Sequence, residues 1–314
     1  MNKKSPPLNL ESIKTTSLKK RASKVSTADF CTPYHKGGTF RDFLAMLPNT
    51  LAAKDLRFIA RSIVKAHRRR KPVVFAMGAH VIKVGLSPLI IDLMHKGVLS
   101  CVALNGAGAI HDVEIALAGK TSEDVAASLT RGAFGMAAEA SELINRAVKG
   151  GPGEKRGMGK AIGEALLQRA AAFNHNSILA TAAGQTIPCT VHVSIGSDTI
   201  HMHPTCDGGA TGMASYNDFI TFAGVVSNLS GGVFVNIGSA VVLPEVFLKA
   251  LSLARNLGKS VAHLTTVNMD FIKHYRPSLN VVERPTLQTG RGFHLIGHHE
   301  IMLPLLSAAI LEEL

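Results

Sequence analysis

The sequence contains no tryptophan, and aromatic residues make up only 5% of its 314 positions. Hydrophobic residues nevertheless account for 46% of the chain, which is long enough to bury a large core. Small aliphatic side chains suit the packing of helices on a sheet better than they suit an aromatic-rich β-sandwich. The composition therefore favours an α/β fold.

Cysteine is also rare, and long apolar runs are missing. The four cysteines lie far apart in sequence, and no two form the Cys-x-x-Cys pair that is typical of a zinc or redox site. Isolated thiols are typical of a reducing compartment, so we predict a cytoplasmic protein. The sequence has neither an apolar signal-peptide core nor an uncharged run of about 18 residues. We therefore expect no membrane association.

Acidic residues are fewer than basic ones, which gives a formal charge of +12. Part of this excess lies in residues 1–30, where seven Lys or Arg residues accompany two acidic residues. We predict that residues 1–35 form a basic, disordered tail and that residues 36–314 form a single α/β domain. No aromatic interleaving or RNA-binding motif accompanies the charge, so we expect no nucleic-acid partner.

Two kinds of apolar segment alternate along the rest of the chain. Short continuous apolar runs are typical of strands that are buried on both faces. Segments with apolar residues at i, i+3 and i+4, such as Lys54–Arg68 and Pro244–Leu257, predict helices. The alternation predicts a Rossmann-like, mostly parallel sheet with helices on both faces. The glycine-rich stretch Lys149–Gly159 is predicted to be a surface loop. The predicted strands are Val73–Met77, Leu99–Leu104, Thr190–Ile195, Val233–Ile237, Ser260–Leu264 and Gly292–Ile296.

Polar residues follow every predicted strand. The carboxyl ends of parallel strands meet at one edge of a sheet, where the ligand crevice of α/β proteins lies. We therefore expect the functional site at this edge. The residues in question are His80 and Lys83; Asn105, His111, Asp112 and Glu114; Ser197, Asp198, His201 and His203; Asn236 and Ser239; Thr265, Thr266, Asn268 and Asp270; and His298, His299 and Glu300.

Glycines after three of these strands are compatible with nucleotide binding. The turn Gly106-Ala107-Gly108 would allow a backbone to approach a pyrophosphate, although the same residues also suit a tight turn without a ligand. Gly196-Ser197 and Gly238-Ser239 repeat the arrangement of a strand followed by small residues. These glycines therefore leave two interpretations open, a nucleotide site and a tight turn without a ligand.

A divalent metal is the alternative use of this edge. Residues two apart in an extended segment face one way, so His201 and His203 would be able to chelate an ion. Asp198, Asp207 or Glu300 would then supply the oxygen ligand. The same histidines would also serve as hydrogen-bonding groups in a polar crevice, and His111 is expected to be structural or to face solvent. The candidate imidazole ligands are His201, His203, His298 and His299.

Four segments of the chain resemble deoxyhypusine synthase: Phe75–Asp112, Ser177–Pro204, Asn236–Val242 and Leu303–Leu306. They occur in the same order as in that family, and their identities are concentrated at strand ends. The family has a Rossmann-like sheet, is tetrameric, binds NAD at subunit interfaces, and transfers an aminobutyl group from spermidine to a lysine of a translation factor. The resemblance implies a homotetramer with NAD sites at its interfaces and a small amine or polyamine-like substrate.

The resemblance also suggests roles for individual residues. Asp198 and His203 match an Asp and a His of the family's polyamine segment, so His203 is expected to be a general acid or base or to hold the substrate. The expected catalytic residues are His203, Asp198, His201, Glu300 and Asp112. The residues expected to contact NAD, by resemblance or by their position after a strand, are Gly78, Asn105, Gly106, Gly108, Ser197, Gly238, Ser239, Thr265, Thr266 and His298.

The chain departs from the family pattern at residues that carry its chemistry. Leu243 stands where the family has its imine-forming lysine, and the tryptophan of the polyamine site has no counterpart. Ile110 and His111 replace two glutamates of the family. Leucine cannot form an imine, so we expect an NAD-dependent transferase or oxidoreductase other than a true deoxyhypusine synthase. A non-catalytic NAD-binding or regulatory protein and a metal-dependent enzyme are the alternatives.

Overall fold

A computed structural model describes residues 5–150 and 155–314. The strands are β1 Val73–Met77, β2 Cys101–Asn105, β3 Cys189–His192, β4 Val233–Ile237, β5 Leu264–Asp270 and β6 Gly290–Ile296. The helices are α1 Phe40–Met46, α2 Leu51–Arg68, α3 His80–Lys83, α4 Ser87–His95, α5 Gly106–Ala118, α6 Val125–Leu129, α7 Ala138–Lys149, α8 Met158–Gln168, α9 Ile178–Gln185, α10 Gly208–Ser227, α11 Val242–Asn256, α12 Tyr275–Pro277 and α13 His299–Glu313.

The six strands form one sheet in the order β3-β2-β1-β4-β5-β6, and each neighbouring pair is parallel. This is the strand order of the doubly wound dinucleotide-binding fold, in which the winding reverses between β1 and β4. Helices cover both faces of the sheet. The predicted Rossmann-like α/β architecture is confirmed.

Side chains that alternate along each strand enter two different cores, because successive residues of a strand point to opposite faces. In β1, Phe75 and Met77 pack with residues of α2, α4 and α13, whereas Val74 and Ala76 pack with residues of α10 and α11. All five residues of β1 are buried. Burial on both faces explains why the strands are apolar without alternation in sequence.

The predicted position of the fifth strand was wrong. The sequence pattern placed this strand at Ser260–Leu264, but β5 comprises Leu264–Asp270. Thr265 pairs with Val233 at the amino end of β4, and Thr266 is the next residue along the strand. The two threonines therefore lie away from the carboxyl edge, at which their contact with NAD was expected. β5 pairs with β4 on one side and with β6 on the other, and this pairing holds the polar residues in the sheet. The apolar pattern of the sequence does not reveal such a strand.

The residues after β2 form a helix that starts without an intervening loop. Asn105 caps α5, since its side chain accepts a hydrogen bond from the Gly108 N–H at 2.9 Å. His111 and Asp112 therefore lie in the second turn of α5, where adjacent residues face different directions. Gly106 and Gly108 have low helix propensity, which hides this helix in the sequence.

Residues 5–35 lie outside the sheet and its helical layers. They contain the 3₁₀ turns Leu10–Ser12 and Thr27–Asp29, and none of these residues is buried. The division into a disordered tail and a single domain stays a prediction. The predicted loop Lys149–Gly159 includes residues 151–154, which lie outside the described residues, and α8 already begins at Met158. Within residues 5–150 and 155–314, no helix is both long and apolar enough to cross a membrane.

Candidate functional site

A cavity of about 290 Å³ lies at the carboxyl edge of the sheet. Residues that follow strands form part of its wall: Lys83 after β1, Asn105 at the end of β2, and Asp198 after β3. The segment between α5 and α7 contributes Glu123 and Phe134. Small-molecule pockets span roughly 300–1,000 Å³, so this cavity suits a small metabolite and is too small for a whole dinucleotide.

Charged groups of both signs line the cavity, and acidic ones predominate. The described lining residues include three carboxylates, those of Glu114, Glu123 and Asp198, and the ammonium group of Lys83. Opposite charges attract more strongly where water is partly excluded. The charge balance therefore favours a ligand that carries a positive group.

Asp198 connects the loop after β3 to the start of α5. Its carboxylate accepts hydrogen bonds from the N–H groups of Ser194, at 2.9 Å, and of Ala107. It also lies against Gly106, where any side chain would collide with it. Asp198 is only 8% exposed. Burial raises the pKa of Asp198, although the two hydrogen bonds and nearby His201 act in the opposite direction.

The N-terminus of α5 does not fit a pyrophosphate, because side chains of this chain already occupy it. The Gly108 N–H donates to Asn105, and the Ala107 N–H donates to Asp198. A negative group at this position already interacts favourably with the helix dipole. Gly106 thus allows the approach of Asp198, which argues against the expected contact of Gly106 and Gly108 with NAD.

A second glycine turn lies where the winding of the sheet reverses. Gly78, after β1, packs so closely on the Gly238 carbonyl that a side chain at position 78 would collide with it. Gly238 has a left-handed φ of +65°, and Asn236 Nδ2 donates to the Ser239 carbonyl at 2.9 Å. The N–H groups of residues 240–242, at the start of α11, have no acceptor among the described residues.

This second turn fits an anionic group. Unpaired N–H groups at the start of a helix bind phosphates, and the crevice at the reversal point is where doubly wound folds hold nucleotides. Val242 belongs both to this turn and to the cavity wall, so the two features are adjacent. The residues that could hold NAD are therefore Gly78, Gly238 and Ser239, with the main chain of residues 240–242.

His111 lies on the cavity wall beside Glu114. Its Nδ1 is 3.2 Å from Glu114 Oε2 and 2.6 Å from Thr121 Oγ1. The Thr121 hydroxyl also donates to Glu114. Burial alone would raise the pKa of Glu114, but the hydrogen bonds from His111 and Thr121 hold it below its ordinary value.

The two histidines that were expected to chelate a metal have different hydrogen-bond partners. They lie in and directly after the 3₁₀ helix Thr199–Met202, and neither is among the described residues that line the cavity. His203 Nδ1 is 2.8 Å from Thr205 Oγ1, and the Gly196 N–H donates to His201 Nδ1 at 3.3 Å. The expectation assumed an extended segment, whereas His201 lies in a helical turn and His203 follows it.

Asp112, another expected catalytic residue, is fully buried away from the cavity. Its carboxylate accepts hydrogen bonds from the Ser177 hydroxyl at 2.5 Å and from the N–H groups of Ile178 and Leu179 at 2.8 and 3.1 Å. Burial raises the pKa of Asp112 to about 6, against the effect of these bonds. This position makes Asp112 a structural link between α5 and the first turn of α9.

The third expected group, at the start of α13, is also separate from the cavity. His298 and Glu300 are exposed, with 3.9 Å between His298 Nδ1 and Glu300 Oε1. His299 is buried beside Gly238, with its ring 5.7 Å from that of His80. In the described part of the chain, no three His, Cys, Asp or Glu side chains are grouped in a way that could hold a metal ion.

Six of the residues expected at this edge from the sequence line the cavity: Lys83, Asn105, His111, Glu114, Ser197 and Asp198. The strand pattern missed Glu123, because this residue comes from the segment between α5 and α7 and not from a strand end. Glu123 accepts a hydrogen bond from the Gly135 N–H at 2.7 Å, and this bond connects the two ends of the segment between α5 and α7. No periodic sequence signal marks such a loop contact.

Neither the comparison with protein-family models nor that with curated proteins gives a match. Solved structures are similar in fold. A protein of Methanococcus maripaludis S2 assigned to the LOR/SDH group has a TM-score of 0.55 at 15% identity, covering 84% of this chain and 70% of that one. AgrE, solved with ornithine and NAD⁺, has a TM-score of 0.55 at 14% identity, covering 82% of this chain and 33% of AgrE.

A protein of Entamoeba histolytica assigned as a deoxyhypusine synthase has a TM-score of 0.52 at 8% identity, covering 89% of this chain and 95% of that one. At these identities the likeness shows a shared fold alone. The relationship to deoxyhypusine synthase expected from the sequence therefore holds at the level of fold. The chain spans only about a third of AgrE.

Proposed function

We propose that this chain is an NAD-binding enzyme that acts on a small cationic amine bound in the cavity at the carboxyl edge. The observation that carries the proposal is the acidic lining of that cavity, with Glu114, Glu123 and Asp198 at the edge where doubly wound folds bind their ligands. The fold shared with AgrE, which was solved with ornithine and NAD⁺, supports the choice of cofactor.

In this proposal NAD lies along the turn between β4 and α11, with Gly78 and Gly238 against it. The close approach of these two glycines and the unpaired N–H groups of residues 240–242 support that location. Bound NAD⁺ would supply a hydride acceptor. Because the cavity volume suits only a small molecule, the substrate and the dinucleotide occupy adjacent spaces.

The lining residues indicate which amines would fit. Carboxylates attract an ammonium group, and the side chains of Ile110, Val125 and Phe134 offer apolar contact for a methylene chain. Lys83 would pair with a carboxylate if the substrate has one. The substrate class is therefore a diamine or a basic amino acid. A homo-oligomer with sites at its interfaces remains a prediction.

Calorimetric titration of the full chain with NAD⁺ tests the first half of the proposal. We expect saturable binding. A panel of 1,4-diaminobutane, spermidine, ornithine and lysine, followed by the absorbance of NADH, tests the second half, and we expect turnover of at least one amine. Absence of NAD⁺ binding would overturn the proposal, whereas binding without turnover of any amine would favour a non-catalytic NAD-binding protein.

The variant Glu123→Gln links turnover to the cavity. Gln keeps an acceptor for the Gly135 N–H but removes the charge, so we expect KM for the amine to rise about tenfold or more. Glu283→Gln is the matched control, because Glu283 is an exposed glutamate outside the cavity. Equal effects of the two substitutions would contradict binding of the amine in this cavity.

A further inference from the structure

His111, Glu114 and Thr121 form a closed set of hydrogen bonds on the cavity wall, here called the His111 cluster. His111 and Glu114 share one face of α5, since residues three apart in a helix are neighbours. The helix ends at Gly119, whose left-handed φ of +66° turns the chain back. This reversal brings Thr121 onto the same face.

The hydrogen bonds of the His111 cluster determine where the imidazole carries its proton. Thr121 has one hydroxyl hydrogen, and the ionised Glu114 carboxylate is the strongest acceptor within its reach. The Thr121 oxygen then has only lone pairs to offer to His111 Nδ1, 2.6 Å away. Nδ1 must therefore carry the proton, and Nε2 carries the free lone pair.

His111 lines the cavity, and its Nε2 is not buried. The hydrogen bonds of His111 all involve Nδ1, and Nε2 is not one of the buried atoms that lack a partner in the described residues. The side chain as a whole is only 18% exposed, so its ring is held in place while one nitrogen stays open. A fixed ring with an open basic nitrogen has the geometry of a general base.

We propose that His111 is the proton acceptor for the amine bound in the cavity, with Glu114 and Thr121 as positioning residues. The inference rests on the proposed function. In this step Nε2 forms a bond to one proton of the substrate ammonium group, and the electron pair of the broken N–H bond stays on the substrate nitrogen. The products are a neutral amine and an imidazolium, whose charge Glu114 stabilises.

Other charged groups of the cavity surround the positive charge before and after the step. Glu123 and Asp198 also line the cavity, and Lys83 is the opposing cation among the described lining residues. An amine that enters as a cation is attracted by the carboxylates and then loses its charge to His111. A neutral amine is the form from which a hydride on the adjacent carbon can leave.

A labelling experiment on the full chain tests the assignment without any turnover. Diethyl pyrocarbonate acylates neutral, accessible imidazoles, and peptide mass mapping resolves each histidine. We expect His111 to react at least as fast as the exposed His35, and 1,4-diaminobutane to slow only the reaction of His111, several-fold or more. An inert His111 beside a labelled His35, or a His111 rate unaffected by the diamine, would overturn the proposal.

The positioning role of Glu114 needs its own readout. In Glu114→Gln the carboxylate that fixes the proton on Nδ1 is lost, so we expect a lower labelling rate at His111 and an unchanged rate at His35. The ¹⁵N shifts of the His111 ring should show Nε2 unprotonated in the wild type and a mixture of tautomers in Glu114→Gln. Identical tautomers in both proteins would contradict the role of Glu114.

Turnover of the amine identified in the panel provides the second test. We expect His111→Gln to lower kcat by about 10²–10⁴-fold without changing NAD⁺ binding, and free imidazole to restore part of kcat in His111→Gly. His35→Gln should match the wild type. A kcat within twofold of wild type in His111→Gln would overturn the inference and leave the proposed function intact. If the wild type turns over no amine while the diamine still protects His111 from labelling, the proposed enzymatic function fails, but the contact between His111 and the bound amine is supported.

Discussion

The Asp198 carboxylate lies over Gly106, the first residue of α5, and accepts a hydrogen bond from the next N–H group. The protein thereby places its own negative group where many doubly wound proteins bind a phosphate. The same carboxylate forms part of the cavity wall. One acidic side chain thus stabilises the helix terminus, occupies the place of a phosphate there, and contributes to the charge of the cavity.

Gly106→Ala should destabilise the fold. A methyl group at this position would collide with the Asp198 carboxylate, and overpacking of this kind costs about 1–3 kcal/mol. Urea denaturation measures the loss in the free energy of unfolding. Gly212→Ala is the matched control in α10, where a methyl group meets open space and should stabilise by up to about 1 kcal/mol. Similar effects at both sites would contradict the close contact.

Leu243→Lys should unfold much of the protein without creating an imine-forming enzyme. Leu243 is 1% exposed and packs in the core shared by α10 and α11, so a lysine there would lose about 2–5 kcal/mol of packing and bury a charge. Val242 is half-buried and lines the cavity, so Val242→Lys should cost less than about 1 kcal/mol. Thermal unfolding of both variants tests this contrast, and equal losses would contradict it.

Asp218 should make stability depend on pH. It is buried in α10, and burial raises its pKa to about 7 against hydrogen bonds from the N–H groups of Val191, Gly159 and Met158. Its unfolded pKa is about 3.9, so between about pH 4 and 7 the folded state binds more protons. Stability should therefore fall as pH rises through this window, by at most about 1.4 kcal/mol per pH unit, and change little above it.

Asp218→Asn removes this contribution and keeps an oxygen acceptor. The difference in the free energy of unfolding between wild type and variant, measured by urea denaturation at several values between about pH 4 and 8, isolates Asp218 from Asp112 and the histidines, which both proteins share. Parallel pH profiles would show that the Asp218 carboxyl titrates alike in the folded and unfolded states.

The central strands could be predicted from sequence because burial on both faces imposes continuous apolar runs. Val73–Met77 and Val233–Ile237 have the bounds that the pattern predicts. The pattern misplaced β5, in which Thr265, Thr266 and Asn268 interrupt the apolar run. Backbone pairing with β4 and β6 holds these residues in the sheet, and this pairing depends on chain contacts that no local pattern encodes.

The candidate site could be predicted only as a region. Strand ends correctly indicated the carboxyl edge, and Asn105 and Asp198 line the cavity there. His111 and Glu114 were also expected at this edge, but their grouping with Thr121 escaped prediction, because the glycines of α5 conceal a helix and Thr121 joins through a reversal of the chain. His203 directly follows a 3₁₀ helix that the extended pattern does not predict, and it is not among the described residues that line the cavity.

The strand order determines how long one edge of β1 waits for its partner strand while the chain is being synthesised. β1 pairs with β2 on one side, and its other neighbour, β4, follows roughly 150 residues later. At about 5–20 residues per second, the ribosome needs on the order of ten seconds to supply it. For that time a wholly apolar strand has an unpaired edge, which is the kind of surface that promotes aggregation. The nascent chain therefore has a period in which a chaperone that covers apolar strands would protect it.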